Sequence, residues 1–227
     1  MQKISCLICA YNEGPRIGKV LEVVTKHPLL DEVLVVDDGS TDNTAKVVRS
    51  FKKAKLILQG NNQGKTKALQ TGLAKAKNTW VLTLDADLKN LTIPTITALL
   101  NPVLKNKADV SMSLRANSLA IMKWIGLDFV SGERVFNKNI LSGHEKELQK
   151  LPAFGFEVFL NALFIKKQLR IKPVRWQHVT HARKSEKMGW LKGRWAEAKM
   201  IGEIIKTIGL RKIISQNRQL LKQVRGA

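Results

Sequence analysis

Along the first half of the chain, short apolar runs alternate with longer stretches in which apolar positions recur every three or four residues. The runs at 4–9, 32–37, 55–59 and 80–84 are each short enough for a single buried strand. The stretches between them, at 14–26, 42–53 and 63–77, predict helices with one apolar face. Strands and helices in alternation, joined by short polar turns, predict a mostly parallel sheet wound with crossover helices, an α/β fold. Further on, the pattern predicts a helix over 91–104, with Pro94 admissible in its first turn, and a strand over 109–114. A helix over 156–168 and a strand over 170–176 follow, then a polar connection over 180–186. Residues 116–150 hold no sustained period and are expected to form irregular structure with short helices.

From residue 188 the spacing turns helical twice over. Leu191, Trp195, Ala198, Ile201, Ile205 and Ile208 make one apolar face; Leu210, Ile213, Ile214, Leu220, Leu221 and Val224 make another. Basic residues occupy the opposite faces, so the chain divides into an α/β unit over 1–182 and a basic amphipathic helical tail over 183–227. Two readings of the tail stand: helices packed on the α/β unit with solvated Lys/Arg faces, or helices lying in the plane of an anionic membrane surface. Trp and Ile opposite Lys and Arg favour the second.

Composition narrows the class. With 227 residues, 44% of them hydrophobic, the chain can bury one sizeable core plus an appendage. The longest candidate for a membrane span, 153–165, is short and carries Glu157 and Asn161, so no span is expected. The first apolar run breaks at Tyr11-Asn12-Glu13 without the features of a signal peptide, which makes a cytoplasmic location the expectation. Cys6 and Cys9 have CxxC spacing, but three residues apart on a strand they point to opposite faces and read as ordinary buried thiols. The net charge of +21 calls for an acidic partner: nucleic acid, an anionic membrane surface or a phosphorylated substrate. Nucleic acid fits poorly, because the aromatic residues are interspersed with apolar ones and form no stacking platform.

Three acidic signatures then stand out: CAYNEG at 9–14, VVDDGSTD at 35–42 and LDADL at 84–88. Each follows an apolar run, so strand ends would present carboxylates to one side of the sheet, as in proteins that bind a nucleotide and a divalent metal. Asp85 and Asp87 are two residues apart at such an end and suit Mg²⁺ or Mn²⁺, hard cations that prefer oxygen ligands. Asp37-Asp38-Gly39-Ser40-Thr41-Asp42 makes a strand–turn–helix connector with more acid than capping needs, which suggests that Asp37 or Asp38 accepts hydrogen bonds from a base or ribose. The loop Gly60-Asn61-Asn62-Gln63-Gly64-Lys65 precedes a helix whose N-terminus suits phosphate, with Lys65 or Lys67 adding charge.

The ordered set AYNEG, VVDDGSTD, NNQGKTKALQTGLAKA and LDADL resembles the inverting glycosyltransferases of family 2, over about residues 3–115. That resemblance implies the GT-A fold, a donor nucleoside-diphosphate sugar of UDP or GDP type, and nucleotide-sugar contacts from Ala10, Tyr11, Asn12, Glu13, Asp37, Asp38, Asn61, Lys65, Asp85 and Ala86. It also implies Mg²⁺ or Mn²⁺ held by Asp85 and Asp87. The SGERVF element at 131–136 resembles the branch of dolichyl- and polyprenyl-phosphate sugar synthases, which implies Arg134 as a phosphate contact. Glu157 matches the position at which many relatives place an acid for acceptor activation. Lys89 departs from the Gln often found after DADL and cannot ligate a metal while protonated. His178 and His181 follow the last strand, where some relatives bring a His to the metal; His181 is the candidate. The expected activity is sugar transfer to a lipid-phosphate or lipid-linked acceptor by a peripheral protein on the inner face of the membrane, without nucleic acid. The alternative is a soluble transferase acting on a glycan or a small phosphorylated hydroxyl compound.

Overall fold

The computed structural model describes residues 2–118, 120–152, 155–182 and 210–225. Four strands, β1 (Ile4–Ala10), β2 (Leu30–Asp37), β3 (Ala54–Leu58) and β4 (Trp80–Asp85), are linked by α1 (Gly14–Val24), α2 (Thr44–Arg49) and α3 (Lys65–Lys75). They pair in parallel in the order β3-β2-β1-β4. Strands buried on both faces need apolar side chains at every position, which is why β1 and β2 read as unbroken apolar runs. Register sets the chemistry: Ala10 lies beside Asp37, and Cys9 lies between Val36 and Asp85, so the acidic strand ends line up at one edge.

The sheet continues through β7 (Arg134–Asn137), β6 (Val110–Arg115) and β8 (Ile171–Trp176), with β7 antiparallel to both neighbours. In chain order β5 (Leu88–Lys89) and α4 (Ile93–Leu104) precede β6, α5 (Ala120–Ile125) precedes β7, α6 (Glu145–Gln149) and α7 (Phe156–Lys166) precede β8, and β9 (Thr180–His181) follows it. A capping box of Thr92 and Thr95 starts α4, with Pro94 in its first turn as the sequence predicts. The segment 116–150 is more ordered than its lack of period suggests. It supplies β7, a central strand, and the short α5 and α6. The polar connection expected at 180–186 instead begins with β9, which pairs with β5.

The two faces of the sheet carry separate cores. Ile17, Val20 and Leu21 of α1 and Ile96, Leu99 and Leu100 of α4 cover one. Leu69 and Leu73 of α3 and Phe156, Leu160 and Phe164 of α7 cover the other. Cys6 belongs to the first core and Cys9 packs against the second, as strand alternation requires. Burial pushes both thiols far above the usual range, so neither is a ready nucleophile.

The last helix, α8 (Leu210–Arg225), lies on α7 and β8. Leu220 is fully buried there, and Leu221 and Val224 pack beside it. Gln216 donates to the Val158 carbonyl, and Gln223 to those of Phe164 and Ile165. This half of the tail therefore packs on the α/β unit. The other predicted tail helix, and with it residues 183–209, lies outside the described residues.

Candidate active site

Asp85 ends β4 with three charged groups converging on or near it. Its carboxylate lies 2.8 Å from the Lys65 ammonium and 3.5 Å from the Arg115 guanidinium, and Lys65 also reaches Glu157 at 3.0 Å. These side chains come from the start of α3, the ends of β4 and β6 and the first turn of α7. Gly132 packs over the junction so closely that a Cβ there would fall 2.6 Å from Asp85 Oδ1 and 2.8 Å from Lys65 Nζ. A larger residue at 132 would therefore push the Asp85 and Lys65 side chains out of their contact.

A second layer lies behind Arg115. It pairs with Glu133 at 2.8 Å and Asp128 at 3.5 Å. Ser113 and Ser131 donate to Glu133 at 2.6 and 2.8 Å, and Ser118 donates to Asp128 at 2.6 Å. Asp85, Glu157, Asp128 and Glu133 gather around Lys65 and Arg115 with Arg134 nearby, four carboxylates to three cations among the described residues, a cluster that favours a further cation or a retained proton. Burial opposes ionisation of Asp85, but Lys65 and Arg115 more than offset it and hold the carboxyl well below its usual range. At Glu133 burial wins over Arg115, and its carboxyl is pushed up.

The acidic connector after β2 turns out to be cross-linked to its own neighbours. Asp38 accepts hydrogen bonds from the amides of Gln63 and Gly64, each at 2.8 Å, and Asp37 accepts one from Ser40 at 2.9 Å. Asn12 accepts from the Thr41 amide at 2.9 Å and from that of Asp42 at 3.3 Å. Glu13 takes its amide to Thr44 Oγ1 and pairs with Arg16. Ala10 closes β1, Tyr11 is exposed at the rim, and Asn61 is exposed in the facing loop. The expected nucleotide-facing residues are therefore brought together around one edge, with each Asp38 oxygen holding one of the 63–64 amides. Lys65 and Lys67 diverge: Lys65 turns into the cluster, and Lys67 donates to the Gln149 carbonyl at 3.0 Å.

Arg134, the phosphate contact that the resemblance implies, lies inside the protein. Only 1% exposed, it donates to the carbonyls of Ser131, Phe129 and Glu157 and to Asn161 Oδ1, stitching the 129–134 loop to α7. Burial pushes its pKa down to about 10, even with carboxylates nearby.

After Asp85 the chain turns through Ala86 and Asp87 into β5, and there Leu88 pairs with His181 and Lys89 with Thr180. The Ala182 amide donates to the Asp87 carbonyl at 3.2 Å, so His181 runs alongside Asp87. His178 and Lys89 are exposed, with the His178 carbonyl accepting from Asn90. Among the described residues no three His, Cys, Asp or Glu side chains converge on a single metal position. The donor chemistry nevertheless suits Mg²⁺ or Mn²⁺ completed by phosphate oxygens: two carboxylates on one turn with an imidazole on the adjoining strand.

Arg115, Asp128 and Glu133 are the site residues that sequence reasoning missed. A signal existed, since Arg115 closes a predicted strand and Glu133 adjoins the quoted Arg134, and charges that become buried need partners.

With this geometry the chain has the GT-A fold of nucleotide-sugar transferases, and its class is that of a glycosyltransferase. The Glycosyl transferase family 2 model matches residues 5–169, and the chain belongs to that family. Poly-beta-1,6-N-acetyl-D-glucosamine synthase of Staphylococcus epidermidis is 35% identical over 91 residues, 38% of this chain and 22% of that protein. A dolichyl-phosphate beta-glucosyltransferase of Trichomonas vaginalis is 29% identical over 150 residues, 54% of this chain and 44% of that protein. An undecaprenyl-phosphate 4-deoxy-4-formamido-L-arabinose transferase of Proteus mirabilis is 34% identical over 99 residues, 40% and 30% of the two chains. The matched regions span less than half the length of each of these relatives. Among solved structures, glucosyl-3-phosphoglycerate synthase from Mycobacterium tuberculosis, in complex with Mn²⁺, UDP-glucose and phosphoglyceric acid, superposes with a TM-score of 0.71. That match is 20% identical and covers 95% of this chain and 80% of that one, a likeness of fold.

Proposed function

We propose that this glycosyltransferase moves a sugar, with inversion, from a UDP- or GDP-type donor to a phosphate-bearing acceptor, a polyprenyl-phosphate-like lipid at the cytoplasmic face of the membrane. The observation that carries the reading is the junction of Asp85, Lys65 and Glu157 at the carboxyl edge of the sheet. It supplies charge for the donor diphosphate, with the Glu157 carboxylate at the same point.

In this reading the nucleoside lies along Ala10–Glu13, Asp37 and Asn61, and Asp38 shapes that surface by fixing the 63–64 amides. Asp85 and Asp87, with Ala86 between them and His181 alongside, would hold Mg²⁺ or Mn²⁺. When bound, such an ion neutralises charge building on the departing diphosphate. The anomeric C–O bond to the diphosphate breaks with its electron pair leaving on the nucleotide, as an acceptor oxygen bonds from the opposite face. A phosphate acceptor is already an anion and needs no base. A hydroxyl acceptor would pass its proton to Glu157, which Lys65 keeps beside the reacting centre. Arg134 acts at one remove, holding the Glu157 backbone in place.

The lipid acceptor is supported by the net charge of +21, by the polyprenyl-phosphate substrates in the names of two relatives, and by an exposed Trp124 on α5. No described helix is long and apolar enough to cross a membrane, which suits peripheral association. The second reading, a soluble phosphorylated hydroxyl acceptor, draws on the placement of Glu157 and on the packing of α8 against α7. Nucleotide release should be measured with UDP-glucose and GDP-mannose against two acceptors: a short-chain polyprenyl phosphate in mixed micelles, and 3-phosphoglycerate. Acceptor-dependent release with the lipid alone is the expected result. Release with 3-phosphoglycerate alone would move the assignment to the second reading, and release with neither would overturn both.

A further inference from the structure

The Lys65 ammonium links three elements: α3, which it begins, Asp85 at the end of β4 and Glu157 in the first turn of α7. Its backbone is held on both sides. Asp38 binds the preceding amide of Gly64, and the Thr66 hydroxyl donates to the Pro152 carbonyl at 2.8 Å. The helix start is therefore fixed while the four-carbon stem of the side chain stays adaptable. The Gly132 backbone lies against the contact, and the Lys65–Asp85 pair is partly buried, with 28% and 25% of the two side chains exposed, so screening by solvent ions is reduced.

We propose that Lys65 is a displaceable internal counter-ion: it occupies the cation position at Asp85 while the donor is absent and surrenders Asp85 when a metal-bound diphosphate arrives. The inference rests on the reading of Asp85 and Asp87 as the metal-holding carboxylates. An ammonium 2.8 Å from Asp85 Oδ1 repels a divalent cation brought to the same carboxylate, so the two compete through their like charges. On displacement Lys65 still has Glu157 as a partner and does not become an isolated buried charge. The diphosphate offers it a second partner within the same cluster. Metal thus binds weakly to the donor-free protein and firmly with nucleotide, and Lys65 positions Glu157 in both states.

The test is Mn²⁺ binding followed by electron paramagnetic resonance, with and without UDP, on the full chain. In the donor-free state Lys65→Met should bind Mn²⁺ roughly tenfold more tightly than wild type, because the competing charge is gone. Lys65→Arg should stay near wild type, and Lys65→Met combined with Asp85→Asn should lose the gain. Lys65→Gln, which keeps an amide donor for both carboxylates, carries the same expectation should Lys65→Met melt early. A Lys that merely supports the fold, or only contacts phosphate, would not raise metal affinity when removed. Unchanged or weaker donor-free affinity in the folded Lys65→Met or Lys65→Gln protein, with wild type still binding Mn²⁺ in the presence of UDP, overturns the inference alone. No Mn²⁺ bound by wild type even with UDP overturns the metal reading and the inference with it.

Discussion

Asp38 accepts a hydrogen bond from the backbone amide of Gly64 at 2.8 Å, and this contact ties the end of β2 to the start of α3. The turn beside it leaves no room for change: Gly39 has φ +74, and a Cβ there would lie 2.6 Å from the Asn61 backbone. Asp38→Ala strips two amides of a charged acceptor and should cost about 2 kcal/mol of stability. It should also weaken nucleotide binding by letting the 60–64 loop drift. Asp38→Asn, which keeps one carbonyl acceptor, should recover part of both. Chemical denaturation and UDP calorimetry on the two variants check this; full stability with lost UDP affinity would instead place Asp38 directly on the nucleotide.

Arg134 should behave as a framework residue. Arg134→Met leaves the carbonyls of Ser131, Phe129 and Glu157 and the Asn161 side chain without their charged donor, and a loss of roughly 3 kcal/mol or more is expected. A thermal midpoint within a degree or two of wild type, with acceptor binding lost, would return Arg134 to a phosphate-contacting role.

The contrast between Asp38 and Arg134 shows what was legible in the sequence. Strands buried on both faces must be apolar throughout, so the order from β1 to β4 and the acids at their ends could be read directly. The partners of those acids could not. Asp38 meets Gly64 across a loop, and Asp85 meets Arg115 only because β7 and β6 complete the sheet. β7 begins with the buried Arg134 and is four residues long, too short to show a period. β5 and β9 are two residues each and exist only through their mutual pairing. The amphipathic face of α8 was plain, but nothing in its spacing distinguished a membrane from α7 as the surface that covers it.

His27 should impose a pH dependence on stability. It is buried with Nε2 3.0 Å from Thr97 Oγ1, and Nδ1 accepts from the Leu29 amide at 3.2 Å. Burial holds its pKa below the ordinary 6.5, so the fold favours the neutral ring. For a histidine with a depressed folded pKa the sign is fixed. Its contribution is intact above 6.5, declines as pH falls toward the folded value, and declines no further below it. The thermal midpoint of wild type should therefore drop relative to that of His27→Gln between pH 7 and pH 5. Parallel curves for the two proteins would show that His27 does not titrate differently in the folded chain.

Asp87 should be needed for turnover rather than for folding. It sits in the turn between β4 and β5, a buried carboxylate that contributes no apolar surface to the core. Asp87→Ala should keep the wild-type circular dichroism spectrum and lose at least about a hundredfold in rate, the scale of a lost charge-stabilising contact at a reacting centre. Wild-type turnover by Asp87→Ala in saturating Mg²⁺ or Mn²⁺ would remove it from the site.

Trp124 offers a cleaner test of membrane association than truncating the tail, because removing α8 would also expose Phe164 and its neighbours on α7. Trp124 is 84% exposed, beside the exposed Lys123 on α5. The chain on either side of α5 is tied to the charged cluster, by Ser118 to Asp128 before the helix and by Arg115 to Asp128 across it. An aromatic ring at an acyl–headgroup boundary and a lysine near anionic headgroups, the latter worth about 1 kcal/mol, would seat α5 on a bilayer. Trp124→Ala should therefore lower affinity for vesicles containing phosphatidylglycerol by roughly tenfold, with salt weakening the binding of both proteins. Nucleotide binding should be unchanged, since Trp124 belongs to none of the donor-facing segments. Sedimentation with anionic and neutral vesicles reads both effects, and equal binding of wild type and Trp124→Ala to anionic vesicles would leave the soluble phosphorylated acceptor as the better assignment.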